Sequence, residues 1–201
     1  MPTSVILLLI IGVLIYLGLA QRVLDHLYLT DNQAIFIIIG IIIGTFFDIP
    51  ISRQPPIYIN VGGALIPFLV AVYVISKIDS ISEIVRTISA VIATTSVIYI
   101  TTLVFRFFGE GRDIIDPMYI FAVSGGIFGY LFGRSRRGAF VAGTLGLLGY
   151  NLINVWRSLT GRVVTDIFIG GAGIFDNVVI AGFIGLLLAE FIGELRESMA
   201  H

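Results

Sequence analysis

One carboxylate at the start of a long apolar stretch is the first candidate for chemistry. Asp176 follows a glycine-rich run and precedes the apolar residues 178–189. An ionised carboxylate at the centre of a bilayer costs at least about 2.5–3.5 kcal/mol, so an acid in such a place is a candidate for binding a cation or relaying a proton. Aspartate is also an ordinary helix N-cap, and the helix dipole favours it there. Both interpretations stay open for Asp176.

Amide side chains form a second group of candidates. Asn151 and Asn154 are three residues apart, so they share one face of a helix, and Asn60 and Asn177 lie beside glycine-rich runs. An amide that faced lipid would leave its donor and acceptor unpaired, so these side chains must face protein or water. We expect Asn60, Asn151, Asn154, Asp176 and Asn177 to converge on one outward-opening polar pocket. Hydrogen bonding between helices is the alternative.

Two similar runs interrupt apolar segments with glycine. The runs INVGGALIP (residues 59–67) and IFIGGAGIF (residues 167–175) share Gly-Gly-Ala at positions 108 apart. Paired interruptions of this kind point to discontinuous helices around a binding site. Chance recurrence in a chain with 23 glycines is the alternative. The candidate binding glycines are Gly62, Gly63, Gly170, Gly171 and Gly173. Residues 163–169 alternate loosely, which is compatible with a short extended segment or a half-helix.

The same two runs carry a resemblance to a known family. NVGGALIP (residues 60–67) and IGGAGIFD (residues 169–176), continuing to Gly182 and the run LLLA (residues 186–189), resemble the two signatures of the domain-of-unknown-function 1614 family. That resemblance implies a small multi-pass membrane protein of the kind found in archaea and bacteria. It implies no activity, because the family has none established.

Composition and charge placement predict the elements that position these residues. The chain of 201 residues is 57% hydrophobic and 12% charged, about half the charged fraction of soluble domains. Its mean hydropathy is +1.03. Few basic residues and no cysteine argue against nucleic-acid binding and against a thiolate metal site. Seven apolar windows of membrane-spanning length can be drawn, at residues 4–20, 33–49, 57–75, 87–105, 117–133, 139–156 and 176–192.

Only Asp48, Asp176 and Glu190 fall inside those windows, among 12 basic and 13 acidic residues. The sequence therefore predicts an all-α, polytopic transmembrane helix bundle with two glycine-broken segments. It has about seven spans, or six if residues 57–75 re-enter the membrane. Residues 1–201 form a single integral membrane domain, and the first helix is retained because no basic residue precedes it. Asp48, just before Ile49 and Pro50, is interpreted as a helix-boundary residue.

The basic residues also predict a sidedness in the cell membrane. Seven of them fall in one set of loops and five in the other, and the tight turn at residues 133–138 holds three arginines. The positive-inside rule places this turn and the C-terminus in the cytoplasm, with the N-terminus outside.

Three functions are compatible with these features. The first is a small transporter or solute-binding or ion-binding protein with a polar site at Asp176. The second is a structural or accessory membrane protein. The third is an intramembrane aspartyl protease, because the run before Asp176 is similar to a Gly-x-Gly-Asp helix. That chemistry needs a second carboxyl, for which Asp116 is the best choice before Asp48 or Asp166. The lipid bilayer and a small solute or cation are the expected partners, without nucleic acid, cofactor or resident metal, and a non-enzyme is favoured.

Overall fold

The computed structural model describes residues 27–108, 117–161 and 166–199. This part of the chain is mostly helical, as predicted. Its six α-helices are α1 (Asp31–Gly44), α2 (Ile66–Ser76), α3 (Ile81–Phe108), α4 (Pro117–Gly133), α5 (Arg136–Leu159) and α6 (Asn177–Met199). The predicted window at residues 4–20 lies outside the described residues.

Two of the predicted spans differ from continuous helices. Window 33–49 covers most of α1 but ends in a strand, β1 (Asp48–Arg53), and window 57–75 begins in a second strand, β2 (Pro56–Asn60). Prolines 50, 55 and 56 interrupt helix formation, and the β-branched and aromatic residues beside them favour extended backbone. Window 57–75 is therefore a strand, a π-helical turn (Val61–Leu65) and α2. The 11 residues of α2 rise roughly 16 Å, well short of a hydrocarbon core about 30 Å thick.

A small sheet joins segments that are distant in sequence. β1 and β2 pair antiparallel, and β2 pairs in parallel with β3 (Ile167–Ile169). Residues 163–169 were compatible with an extended segment or a half-helix, and the structure has the extended form at β3, while residues 162–165 lie outside the described part. A parallel pair requires a long crossover, and here α2 to α5 supply it. Asp48, expected at a helix boundary, instead opens β1 opposite Asn60.

Helix α5 is the centre of the bundle and packs against α2, α3, α4 and α6. Its glycines allow close approach: a Cβ on Gly143 would lie 2.6 Å from the carbonyl oxygen of Ala181 in α6. A Cβ on Gly146 would lie 2.6 Å from Thr94 Cγ2 in α3. Small residues at helix interfaces let backbones pack tightly where no hydrophobic force drives them together.

The two ends of the bundle are chemically different. At one end the arginine hairpin (residues 133–138) joins α4 to α5, and Ser135 Oγ donates to Glu83 Oε1 of α3 at 2.9 Å. Arg136 of the hairpin pairs with Glu190 of α6, with 2.5 Å between Nε and Oε2. The other end, called the sheet end below, holds the three strands and the first residues of α2 and α6.

Candidate functional site

The two glycine-broken segments meet at the sheet end. β2 and β3 run side by side with Ile57 opposite Ile167 and Ile59 opposite Ile169. Just beyond the strands, a Cβ on Gly63 would overlap the carbonyl oxygen of Gly170 and lie 2.8 Å from that of Gly173. The two segments therefore contact each other backbone to backbone.

The C-terminal end of α1 completes this contact. A Cβ on Gly62 would overlap the carbonyl oxygen of Ile41 and lie 2.9 Å from the carbonyl carbon of Gly44. A Cβ on Gly173 would overlap the side chain of Thr45. We call this set, Gly44, Gly62, Gly63, Gly170 and Gly173, the glycine junction. Side chains larger than hydrogen do not fit at these positions without movement of the backbone or of Thr45.

Asn60 ties the junction together with three hydrogen bonds. Its Nδ2 donates to the carbonyl oxygen of Thr45 (2.8 Å) and to Asp48 Oδ1 (2.9 Å), and its Oδ1 accepts from the backbone N–H of Gly63 (2.8 Å). The side chain is buried, with 1% of the residue exposed. A buried amide that satisfies three of its four hydrogen-bonding positions fixes the groups around it. Asn60 thus caps the π-helical turn and holds it against α1 and β1.

Asp176 plays the corresponding part for α6. Its Oδ1 accepts from the backbone N–H of Val178 (3.0 Å), which is an N-cap bond, and its Oδ2 accepts from Ala172 at 3.5 Å. The residue is buried and precedes the helix.

The remaining residues predicted for the site differ in how exposed they are. Gly171 is exposed beside Phe168, and Asn177, the first residue of α6, is half-buried. Asn151 and Asn154 are half-buried on α5, and their convergence with Asp176 stays a prediction. Asp116 lies outside the described residues. Among the residues the structure describes, no group of three or more histidine, aspartate or glutamate side chains could hold a metal ion.

A cavity is present elsewhere, between α1 and α2. It has a volume of about 380 Å³ and is lined mainly by apolar side chains, among them Phe36, Ile37, Leu69 and Val70. The glycine junction and Asp176 do not line it.

The chain was compared with known proteins. The family model described as protein of unknown function (DUF1614) matches residues 29–188, more than half of the chain. The chain belongs to the DUF1614 family. No curated protein and no solved structure matches it. The DUF1614 match spans both glycine-broken segments and Asp176, so the glycine junction lies within the family's common region.

Sequence reasoning missed two partners in this DUF1614 site. Thr45 and Asp48 both accept hydrogen bonds from Asn60 and anchor it to α1 and β1. The prolines between residues 50 and 56 were the available signal, because they indicate a turn that would bring Asp48 opposite Asn60.

Proposed function

We propose that this DUF1614 chain is an integral membrane protein that crosses the bilayer several times. The observation that carries the proposal is the outer surface of the helices. The most apolar window of α3 has a mean hydropathy of 1.8, yet only 28% of it is buried. A helix of this composition in a soluble protein is buried on most sides, whereas a lipid-facing helix leaves apolar side chains outside. The large exposed residues of α3 include Ile88, Ile92, Ile100, Leu103 and Val104.

By length and composition, two of the described helices are able to cross a membrane, residues Ile81–Val104 of α3 and all of α5. Four shorter apolar helices accompany them. We expect the protein to stay in the pellet when isolated membranes are washed with alkaline carbonate, which strips peripheral proteins. Release into the supernatant would contradict a membrane-spanning chain.

The proposed orientation places the arginine hairpin in the cytoplasm and the sheet end outside the cell membrane. Because the chain has no cysteine, single-cysteine variants report sidedness cleanly. Gln54→Cys, in the turn between β1 and β2, should react with a membrane-impermeant maleimide in intact cells. Ser82→Cys, near the arginine hairpin, should react only after the cells are permeabilised. The reverse pattern would invert the topology.

For the glycine junction we propose a structural role, in which it fixes two strand-to-helix units of a structural or accessory membrane protein. Asn60 and Asp176 both support this: Asn60 binds Thr45, Asp48 and Gly63 around the junction, and Asp176 accepts from the backbone N–H groups of Val178 and Ala172. The junction itself is filled by backbone atoms.

The test separates capping from charge at Asp176. Asparagine caps helices about as well as aspartate does, whereas alanine costs about 1 kcal/mol. A structural role predicts that Asp176→Asn keeps the thermal stability of the purified protein while Asp176→Ala loses about 2–4 °C. Equal stability of all three proteins would contradict a structural role for the side chain.

A second candidate function is binding of a small solute or cation at Asp176. The observation in its favour is that Oδ2 of this buried carboxyl accepts one long hydrogen bond, at 3.5 Å from the backbone nitrogen of Ala172. Such a group can exchange a proton for a cation. A cation that binds the native protein raises its melting temperature. Na⁺, K⁺ or Ca²⁺ should then stabilise the wild type but not Asp176→Asn, while the structural role predicts the same response from both.

The third hypothesis, proteolysis, gains no support from the described residues. Asp48 is bound to Asn60, Asp166 is exposed, and Asp116 is not described. We therefore do not propose it.

A further inference from the structure

Basic residues mark two levels along the long helices α3 and α5. Arg86 and Arg106 of α3 are 20 positions apart, as are Arg137 and Arg157 of α5, and no charged residue lies between the members of either pair. Twenty residues of helix rise about 30 Å, which equals the thickness of a hydrocarbon core. Each pair therefore fits the two boundaries of a bilayer.

Contacts between the helices place the two pairs at the same levels. Thr95 Oγ1 donates to the carbonyl oxygen of Gly146, and a Cβ on Gly138 would lie 3.2 Å from Thr87 Oγ1. Both contacts join residues 51 positions apart, so α3 and α5 run in parallel with that offset. The same offset separates the first arginine of each pair, at what we call the hairpin level. It also separates the second arginine of each pair, at what we call the far level.

Helix α6 begins well inside the far level. A Cβ on Gly143 would lie 2.6 Å from the carbonyl oxygen of Ala181, and one on Gly185 would lie 2.7 Å from that of Ala139. These contacts show that α5 and α6 are antiparallel, and the same register places Asp176 level with position 148 of α5. Nine positions of helix separate that position from the far level. Asp176 therefore lies about 13 Å inside it.

Helix α2 also stops short of the far level. Its C-terminal end is at the hairpin level, because Tyr73 Oη donates to the carbonyl oxygen of Tyr28, and the guanidinium of Arg137 lies 4.5 Å from the centroid of the Tyr28 ring. The π-helical turn and α2 together run from Val61 to Ser76. Sixteen helical residues rise about 24 Å, which is about 6 Å less than the distance between the two levels.

The sheet takes the place of helix in the remaining distance. Strand β2 precedes the π-helical turn, and β3, which precedes α6, contacts α5. The five residues of β2 span about 16 Å, enough to reach from the glycine junction to the far level. The strands therefore lie at a depth at which α3 and α5 are apolar.

Strand β1 is polar and open at this depth. Five of its six residues are exposed, including Asp48 at one end and Arg53 at the other. Among the described residues, β1 pairs with β2 alone, so its second edge has no strand beside it. Open sheet edges do not occur where lipid chains cover them, and exposed charges are costly there. Water or headgroups must therefore reach β1 as far as Asp48.

We infer that the bilayer is indented beside β1, so that headgroups and water reach Asp48 while acyl chains cover α3 and α5 over their full apolar height. The inference rests on the proposed membrane location. Helix α1 agrees with it, because its 14 residues, between Asp31 and the turn before Asp48, rise about 21 Å. A bilayer adapts to a short apolar span by local thinning at modest cost. The surface of α1 and α2 thus fits a hydrocarbon layer about 21–24 Å thick, against about 30 Å beside α3 and α5.

Cysteine labelling compares two sides of the molecule at one depth. The carbonyl oxygen of Phe47 accepts from the backbone N–H of Val61 at 2.9 Å, so Phe47 lies about 24 Å from the hairpin level. Leu152 of α5 lies about 22 Å from it, and the two side chains are 59% and 64% exposed. A thiol reacts with maleimide as the thiolate, which needs water. We expect Phe47→Cys to react with a membrane-impermeant maleimide, and Leu152→Cys to stay unlabelled until detergent is added.

Open membrane fragments, in which the reagent reaches both faces, make this result independent of the orientation of the protein. Equal labelling of Phe47→Cys and Leu152→Cys would overturn the indentation. The control for the membrane itself is Ile92→Cys on α3, where the native side chain is 63% exposed and lies about 9 Å inside the hairpin level. It should stay unlabelled whether or not the bilayer is indented.

Tryptophan fluorescence gives a second measurement at the same two positions. The chain has one tryptophan, so Trp156→Phe provides a background for Phe47→Trp or Leu152→Trp. Each protein is placed in vesicles of phosphatidylcholine brominated either near the headgroup or near the middle of the acyl chain. The ratio of shallow to deep quenching should be higher for Phe47→Trp than for Leu152→Trp. Equal ratios would indicate a flat bilayer and overturn the inference, as would a tryptophan at position 47 that neither lipid quenches, because protein would then cover it.

The failure of this inference is distinguishable from the failure of the membrane proposal. An unlabelled Ile92→Cys together with equal results at positions 47 and 152 refutes the indentation alone. Labelling of Ile92→Cys without detergent, or release of the protein by alkaline carbonate, refutes the membrane location and the indentation with it.

Discussion

The close contact at Gly63 gives a prediction whose sign and size follow from the structure. A Cβ there would overlap the carbonyl oxygen of Gly170, lie 2.8 Å from that residue's carbonyl carbon and 2.8 Å from the carbonyl oxygen of Gly173. All three obstacles are backbone atoms of the opposite segment, so no side-chain rotation relieves them. Gly63→Ala must therefore separate the two glycine-broken segments or distort one of them.

The expected cost of Gly63→Ala is the free energy of overpacking the junction, reduced by the better helix propensity of alanine. Alanine is about 1 kcal/mol better than glycine inside a helix, and overpacking a filled site costs about 1–3 kcal/mol, occasionally more. The contact at Gly63 involves three backbone atoms, so we expect the upper part of that range, a net loss of about 2 kcal/mol. For a chain of about 200 residues this lowers the melting temperature by about 4–8 °C.

The matched control is Gly40→Ala in α1. There a Cβ would meet Ile66 Cδ1 at 3.4 Å, an ordinary contact with the flexible end of a side chain. The better helix propensity of alanine then makes Gly40→Ala stabilising, and we expect the melting temperature to rise by about 2–4 °C. Both variants are purified in the same detergent, and unfolding is followed by circular dichroism on heating. Equal melting temperatures for Gly63→Ala and Gly40→Ala would refute the argument that backbone contact across the glycine junction requires glycine.

Two further substitutions test neighbouring features of the fold. Gly170 combines a positive φ of 75° with a crowded position, since a Cβ would lie 2.5 Å from the backbone nitrogen of Ala64, whereas Gly161 has a φ of 71° and open space. Gly161→Ala should therefore cost only the left-handed backbone strain of about 1–2 kcal/mol, and Gly170→Ala clearly more; equal losses in melting temperature would argue against the contact. Thr95 Oγ1 of α3 donates to the carbonyl oxygen of Gly146 in α5 at 2.9 Å, while Thr101 donates within its own helix. Thr95→Val should lose about 0.6 kcal/mol in detergent unfolding and Thr101→Val less, and the reverse order would contradict the interhelical bond.

The sequence predicted the helices where long apolar runs lacked a proline beyond their first residue. Window 117–133 coincides with α4, window 87–105 lies inside α3, and window 139–156 lies inside α5. Window 176–192 begins one residue before α6, at the residue that caps it. Apolar composition over about 20 residues leaves few alternatives to a helix, which is why these predictions succeed.

Composition was less informative where short apolar runs adjoin prolines. Residues 57–59 are apolar, as helical segments of this chain are, yet they belong to a strand. A short apolar run fits a buried strand or a helix equally well, and only the partner strand decides. One of the two partners of β2 is β3, more than 100 residues away, so local pattern could not supply that pairing. The cavity between α1 and α2 was unpredictable as well, because it depends on how two separate helices pack.

The two Gly-Gly-Ala runs are similar in sequence, and their similarity in structure extends over the strands only. The two Gly-Gly-Ala runs align at a separation of 108, but their strands pair with Ile59 opposite Ile169, a separation of 110. A shift of two residues keeps the same side chains on the same face of each strand, so the similarity of the runs survives in the sheet. It does not survive beyond the strands, because Gly63 then meets Gly170 and Gly173 instead of its aligned partner Gly171.

The residues that cap the two helix starts do not occupy aligned positions either. Asn60 is the N-cap residue of the π-helical turn. Asp176 caps α6 and follows a 3₁₀ turn (Gly173–Phe175). The two caps are 116 positions apart, whereas the glycine runs are 108 apart. The two units therefore share an order of strand, glycine break and helix, but each satisfies its free helix N–H groups with a different residue at a different place. Substituting one cap should leave the other helix start intact, so the two units are similar in layout and separate in their local energetics.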